Sequence, residues 1–177
     1  MRGLQSFTVR RGTCYCQVWP GRGCRARAVV CLWSLLEDDA MADTLDEQIR
    51  RFLDGGPHAV VGASADRGKY GNKVLRVYQQ AGRVVYPVNP RRERIEGLTC
   101  YADLESLPRE VHGVSIITPP RVTAGIIEQA MALGIGHAWM QPGAEEAAAV
   151  ERGREAGMNI IAGDACILVV LGYREGG

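Results

Sequence analysis

No stretch of this 177-residue chain is apolar for long enough to span a membrane. Its net charge is only +1, too little for the basic footprint of a nucleic-acid binder. Beyond residue 40 the only cysteines are Cys100 and Cys166, far apart in sequence. That excludes a disulfide scaffold and makes a reducing, cytoplasmic setting the expectation. The earlier Cys14, Cys16, Cys24 and Cys31 match no standard zinc-ligand spacing, so no metal site is expected. The chain is also too short for two ordinary domains. What is present is globular in composition, 46% hydrophobic and 23% charged.

Residues 1–40 read differently from the rest. They hold six Arg against two Asp and one Glu, a net +3, with no acid before Glu37. Residues 28–36 are apolar after basic residues, as in a signal sequence, but the basic part is too long and acids follow at once. A transit peptide also fits an Arg-rich, acid-poor segment. Met41 opens MADTLDEQIRRF, which looks like a natural start. Residues 1–40 are therefore expected to be an extension without a fold, disordered or a start placed too far upstream. The domain is expected over 41–177, with a net charge of −2.

Thr44 with Glu47 forms a capping box, which predicts a helix carrying Leu45, Ile49 and Phe52/Leu53 on one face. HAVVGAS (58–64) reads as a buried strand. A helix over 70–81 follows, with Val74, Leu75, Tyr78 and Ala81 at helical spacing. Strands are then expected at 83–89, 113–118, 137–141 and 159–162. Between them come at most a short helix at 103–107, a helix over 122–133 and one over 144–156. The 122–133 helix carries Val122, Ile126, Ala130 and Leu133 on one stripe. Pro87 costs its strand a ladder hydrogen bond and marks a bulge or a turn in direction. Residues 167–171 are an apolar run of open type. This alternation predicts an α/β, Rossmann-like three-layer sandwich with a parallel sheet of about five strands.

Ligands of such sheets bind at the carboxyl ends of the strands. Those ends read Gly62-Ala63-Ser64, Asn89-Pro90, Thr118-Pro119-Pro120, Gln141-Pro142-Gly143 and Asp164-Ala165-Cys166. Basic residues stand nearby: Arg67, Lys69 and Lys73, then Arg91, Arg92 and Arg94. The first loop leads into a helix start, whose N–H groups suit a pyrophosphate, with Lys69 or Arg67 adding charge. Ser64 replaces the second Gly of G-x-G-x-x-G, so the motif alone is weak. The second strand end lacks the acid that holds NAD ribose hydroxyls. Asn89, Pro90 and two Arg stand there instead, which suits a phosphorylated ribose, in NADP or in the 3′-phospho-ADP of coenzyme A.

In order, VVGASADRGKYGNKVLRVYQQAGRVVYPVNP, SIITPPRVT, AWMQPGAE and the late Cys in GDACILVVLG resemble the stand-alone CoA-binding domain proteins. These are related to the N-terminal domain of the succinyl-CoA ligase alpha subunit. The resemblance spans about residues 42–173. It implies CoA or acyl-CoA binding through the phosphate loop. By position, Gly62, Ala63, Ser64 and Lys69 would face the phosphates. Val88, Asn89, Pro90 and Arg91 would face the adenosine end, and Thr118, Pro119, Pro120, Gln141 and Pro142 would line the cleft. Asp164-Ala165 departs from the Gly-Pro that similar sequences often carry before the late Cys, so that turn is expected to differ.

The related ligase needs a phosphorylated His in a further domain. His58, His112 and His137 fall at strand starts, on the opposite edge, where structural roles are expected. No catalysis of its own is therefore expected, and an acyltransferase partner or a homodimer would complete the system. Tyr78 and the apolar C-terminal residues are candidates for a dimer face. Cys166 is the one reactive candidate, either a thiol exchanging disulfides with CoA or a buried small residue. The alternative is an NADP-dependent oxidoreductase subunit lacking its substrate domain. A regulatory subunit with an empty pocket also remains open.

Overall fold

The computed structural model describes residues 6–8, 13–15 and 43–176. The chain divides into two compact units, Met1–Met41 and Ala42–Gly177. In the first, β1 (Ser6–Thr8) and β2 (Thr13–Tyr15) pair antiparallel, with Ser6 opposite Tyr15. The remaining expectation for residues 1–40 lies outside the described residues.

The second unit opens with α1 (Leu45–Asp54). The capping box forms as expected: Glu47 N donates to Thr44 Oγ1 at 3.3 Å and Thr44 N donates to Glu47 Oε2 at 3.0 Å. Next come β3 (His58–Val61), α2 (Tyr70–Gln80), β4 (Val85–Val88), β5 (Arg94–Ile95) and β6 (Leu98–Thr99). They are followed by β7 (Gly113–Ile116), α3 (Pro120–Ala132), β8 (His137–Met140), α4 (Ala147–Glu155), β9 (Asn159–Ile161) and α5 (Ile167–Val170).

Five of these strands form one parallel sheet in the order β4-β3-β7-β8-β9. His58 stands opposite both Val85 and Gly113, Gly113 opposite His137, and His137 opposite Asn159, so the strand starts are level. The two-residue period of a strand sends alternate side chains to opposite faces. Ala59, Val61, Val114, Ile116, Ala138, Met140 and Ile160 pack with Ile126, Ile127 and Ala130 of α3 and Ala149 of α4. Val60, Trp139 and Ile161 pack on the other face with Phe52 of α1, Val74, Leu75 and Tyr78 of α2, and Ile167 of α5. This is the expected three-layer sandwich.

Three local expectations are corrected, and the 103–107 segment, allowed at most a short helix, takes none. Pro87 marks no bulge: it stands in register opposite Val60 on β4, an edge strand of this sheet. Its carbonyl accepts from Tyr101 N at 3.0 Å on the outer side, so its imide nitrogen also points outward, where no ladder partner is needed. The α3 stripe is rotated from the one expected. Thr123, Ile126, Ile127 and Ala130 are buried, while Val122 and Leu133 are 44% and 41% exposed. Tyr78 serves no dimer face, because it is fully buried with Oη 2.8 Å from Ser115 Oγ. No helix forms at 103–107, where Ser106 N donates to Asp103 Oδ1 at 2.8 Å and closes a turn.

The crossover from β4 to β7 thus runs without a helix. It holds instead the β5–β6 hairpin, turning at Glu96-Gly97, and a loop that lays Leu104 and Val111 on the α3 face. A loop where a helix would stand leaves space beside α3.

Candidate functional site at the carboxyl edge of the sheet

The chain leaves β3 for β4 on one side and then crosses to β7 on the other. The carboxyl ends of β3 and β7 therefore flank the switch point at which open sheets hold ligands. A cleft of about 620 Å³ lies there. Of the candidates, Gly62, Val88, Asn89, Pro90, Arg91, Thr118 and Pro119 line it together. Ala63, Ser64, Lys69, Pro120, Gln141 and Pro142 do not. Sequence reasoning missed the other wall: Ala102, Asp103 and Leu104 of the loop, and Val122, Gly125, Ile126 and Gln129 of α3. Val122 shares a helical stripe with Ile126 and Ala130 in the sequence, yet it lines the cleft.

Asn89 ties the strand ends together. Its Nδ2 donates to Ala63 O at 2.7 Å and its Oδ1 accepts from Arg91 N at 2.9 Å. On the other wall, Thr123 donates its one hydroxyl proton to Ala144 O at 2.8 Å. Thr118, 3.2 Å from Thr123 Oγ1, is therefore the donor in that pair.

The loop from Gly62 to Lys69 is held by its own side chains. Asp66 N donates to Ser64 Oγ at 3.1 Å, and Gly68 N donates to Asp66 Oδ1 at 2.9 Å. Two glycines let α2 close on β3. Gly62 has φ +92°, and a Cβ on Gly71 would stand 2.2 Å from Gly62 O.

Arg67 leaves the basic set. Its Nε and Nη2 donate to Glu96 at 3.1 and 2.7 Å. Asn72 Nδ2 also donates to Glu96 Oε1 at 2.9 Å and to Ser64 O at 2.8 Å. Hydrogen bonds from Arg67 first, and from Asn72 second, hold the Glu96 carboxyl below its ordinary range. Lys73 pairs with Glu175 at 2.7 Å, and Arg94 Nη2 donates to Gly97 O at 2.8 Å. Lys69 and Arg91 are exposed and form no ion pair among the described residues.

Gln141 lies beyond this cleft, at the end of β8. Its Oε1 accepts from Tyr70 Oη and from Ile167 N, both at 3.1 Å. Tyr70 Oη stands 2.9 Å from Cys166 Sγ. His58, His112 and His137 occupy the opposite edge, as expected, with the rings of His112 and His137 stacked at 4.1 Å. Among the described residues, no group of His, Cys, Asp or Glu could hold a metal, and no helix is long and apolar enough to cross a membrane.

A level parallel sheet, helices on both faces and a cleft at the switch point define an α/β domain of Rossmann type. The chain belongs to the CoA binding domain family, which matches residues 58–172. It is 34% identical over 122 residues, 62% of its length, to the ADP-forming acetate–CoA ligase II subunit alpha of Pyrococcus furiosus. Those residues cover 26% of that relative, and the chain spans only 10–26% of the curated relatives it matches. Among solved structures, a conserved hypothetical protein of Pyrococcus furiosus superposes with a TM-score of 0.62 at 36% identity. That likeness covers 66% of this chain and 99% of that one. The dinucleotide-forming acetyl-coenzyme A synthetase 1 of Ca. Korarchaeum cryptofilum, in complex with phosphate and ADP, superposes with a TM-score of 0.58 at 30% identity. Here 64% of this chain and 27% of that chain are covered.

Proposed function

We propose that this domain binds coenzyme A or an acyl-CoA at the carboxyl edge of its sheet and performs no catalysis of its own. The observation that carries the reading is the cleft of about 620 Å³ at the switch point, lined by the ends of β3, β4 and β7 in a chain of the CoA binding domain family. Its size falls within the range of small-ligand sites, roughly 300–1,000 Å³.

The unpaired side chains divide the ligand between them. Lys69, at the start of α2, and the helix N–H groups would take the pyrophosphate. Arg91 would take the 3′-phosphate on the ribose. Ala102, Leu104, Val122, Gly125 and Ile126 form an apolar wall for the adenine, and the carboxylate of Asp103 would accept from its amino group. The likeness to ligase subunits supports an acyl-transferring partner as the setting.

Isothermal titration of the full chain with CoA, 3′-dephospho-CoA and NADPH tests the reading. CoA binds, and loss of the 3′-phosphate or the Arg91→Ala exchange weakens binding by about tenfold, the value of one charge-assisted hydrogen bond. Binding of NADPH without CoA would overturn it, as would binding indifferent to the 3′-phosphate.

A further inference from the structure

The two thiols of the second unit, Cys100 and Cys166, differ in their settings. Cys100 points at backbone carbonyls, with Sγ 3.7 Å from Asn89 O and 3.9 Å from Tyr101 O. Burial pushes its thiol up, so it is held protonated. Cys166 Sγ lies instead 2.9 Å from the hydroxyl of Tyr70. Burial first, and the Cys166 contact second, keep the Tyr70 phenol above its ordinary value, so it stays a donor. With Cys166 as a thiol, S–H donates to Tyr70 and Tyr70 donates to Gln141 Oε1. With Cys166 as a thiolate, the phenol turns and donates to sulfur. The pair thus has a hydrogen bond for either state of the nucleophile.

A second observation points to a ligand at the same place. Gln141 is 1% exposed, and its amide orientation is set by Ile167, whose N–H needs the carboxamide oxygen. Its Nε2 is buried and has no partner. A native structure rarely leaves such a donor unpaired without a use for it. A ligand bearing carbonyls next to a sulfur would satisfy it, and the pantetheine arm of CoA is an amide chain ending in a thiol. The position suits that arm. β4 ends at the cleft and β9 leads to Cys166, four strand spacings away in the sheet. At ~4.8 Å each that is about 19 Å along the edge, within reach of an extended CoA.

We propose that Cys166, set by Tyr70 and Gln141, is a disulfide-exchange site for coenzyme A, an inference that rests on the binding reading above. The Cys166 thiolate attacks one sulfur of CoA disulfide. The Cys166–S–S–CoA bond forms as the CoA–CoA disulfide breaks, and the electron pair leaves on the second CoA sulfur as a thiolate, which takes a proton from water. Cys166 is oxidised and one CoA is reduced; excess CoA thiol reverses the step.

The test is peptide mass mapping of the full chain after timed exposure to CoA disulfide or to glutathione disulfide. CoA modifies Cys166 and spares Cys100, at a rate about tenfold or more above glutathione, because binding raises the local concentration of the disulfide. Desulfo-CoA slows it. Tyr70→Phe lowers the limiting rate and leaves the half-saturating concentration of CoA disulfide unchanged, which a general disturbance of the fold would not do. Equal rates with the two disulfides would mark a merely accessible thiol and overturn the proposal. Absence of a Cys166 adduct while CoA still binds by titration overturns it alone. Absence of both overturns the binding reading as well.

Discussion

Gly71 stands where no side chain fits. A Cβ there would lie 2.2 Å from Gly62 O, and that oxygen belongs to backbone that is pinned from the far side. Gly62 itself, at φ +92°, would bring a Cβ to 3.1 Å from the Ile117 carbonyl carbon. Neither neighbour yields cheaply, so Gly71→Ala must lift the start of α2 off the end of β3. The expected loss is about 2 kcal/mol or more, the cost of overpacking a close contact. Urea unfolding measures it, and a loss within error of zero would mean that α2 approaches β3 less closely than described. Weakened CoA binding should accompany it, since the same contact sets the loop proposed to hold the phosphates. The two glycines were legible in the sequence as an open loop before a helix. The fate of Arg67 was not, because its partner Glu96 sits on a hairpin that nothing in the apolar pattern announces. A two-residue strand pair is too short to show a period, and a charged residue near a phosphate loop reads alike whether it meets phosphate or carboxylate.

At the scale of elements, α1 is fastened to the sheet by imidazoles. His58 Nε2 donates to Phe52 O at 2.9 Å, and His112 Nε2 lies 3.0 Å from Arg51 O, so carbonyls at the helix end find partners on the strand starts. Asn159 Nδ2 donates to Gln48 O at 2.8 Å. Burial is the main cause that lowers His58 from 6.5 to about 4, and burial first, then His112, also lowers His137. The unfolded chain therefore binds more protons than the folded one between these values. Stability from His58 is full above about pH 6.5 and is lost as the pH falls toward 4, by roughly 3 kcal/mol in all. Urea midpoints measured from pH 7.5 to 4.5 should fall steeply below pH 6.5, and less steeply in His58→Gln, which keeps a donor without the titration. A flat profile in the parent chain would refute the assignment. Strands and helices were readable from their periods, whereas which face a helix buries was less so. In α3, spacing points to Val122 and Leu133 beside Ile126 and Ala130, whereas Thr123 and Ile127 are the ones buried and Val122 lines the cleft. The missing helix between β4 and β7 creates that cleft, and an absent element leaves no pattern to read.

At the scale of the molecule, the parallel sheet sorts chemistry by edge. All strands run one way, so every strand start, with His58, His112 and His137, falls on one side, and every strand end falls on the other. A four-residue strand separates the two edges by about 13 Å. A phosphoryl-carrying His at the cleft would thus have to come from outside the described residues, in keeping with a domain that spans 10–26% of the ligases it resembles. Separation by edge has a thermodynamic consequence, since groups that share no partners contribute additively. A ligand bound only by the folded state stabilises it by about 2.7 kcal/mol at a hundredfold excess over Kd. For a domain of this size that raises Tm by on the order of 10 °C. His58→Gln and His112→Asn should each lower Tm in the absence of ligand, yet leave the increment produced by CoA unchanged. Arg91→Ala should do the reverse, sparing the unliganded Tm and shrinking the increment. Thermal melts of the three variants with and without CoA read both quantities at once. An increment that vanishes with the histidines and survives loss of Arg91 would move the ligand to the amino edge, where neither the cleft nor the strand-end residues could hold it.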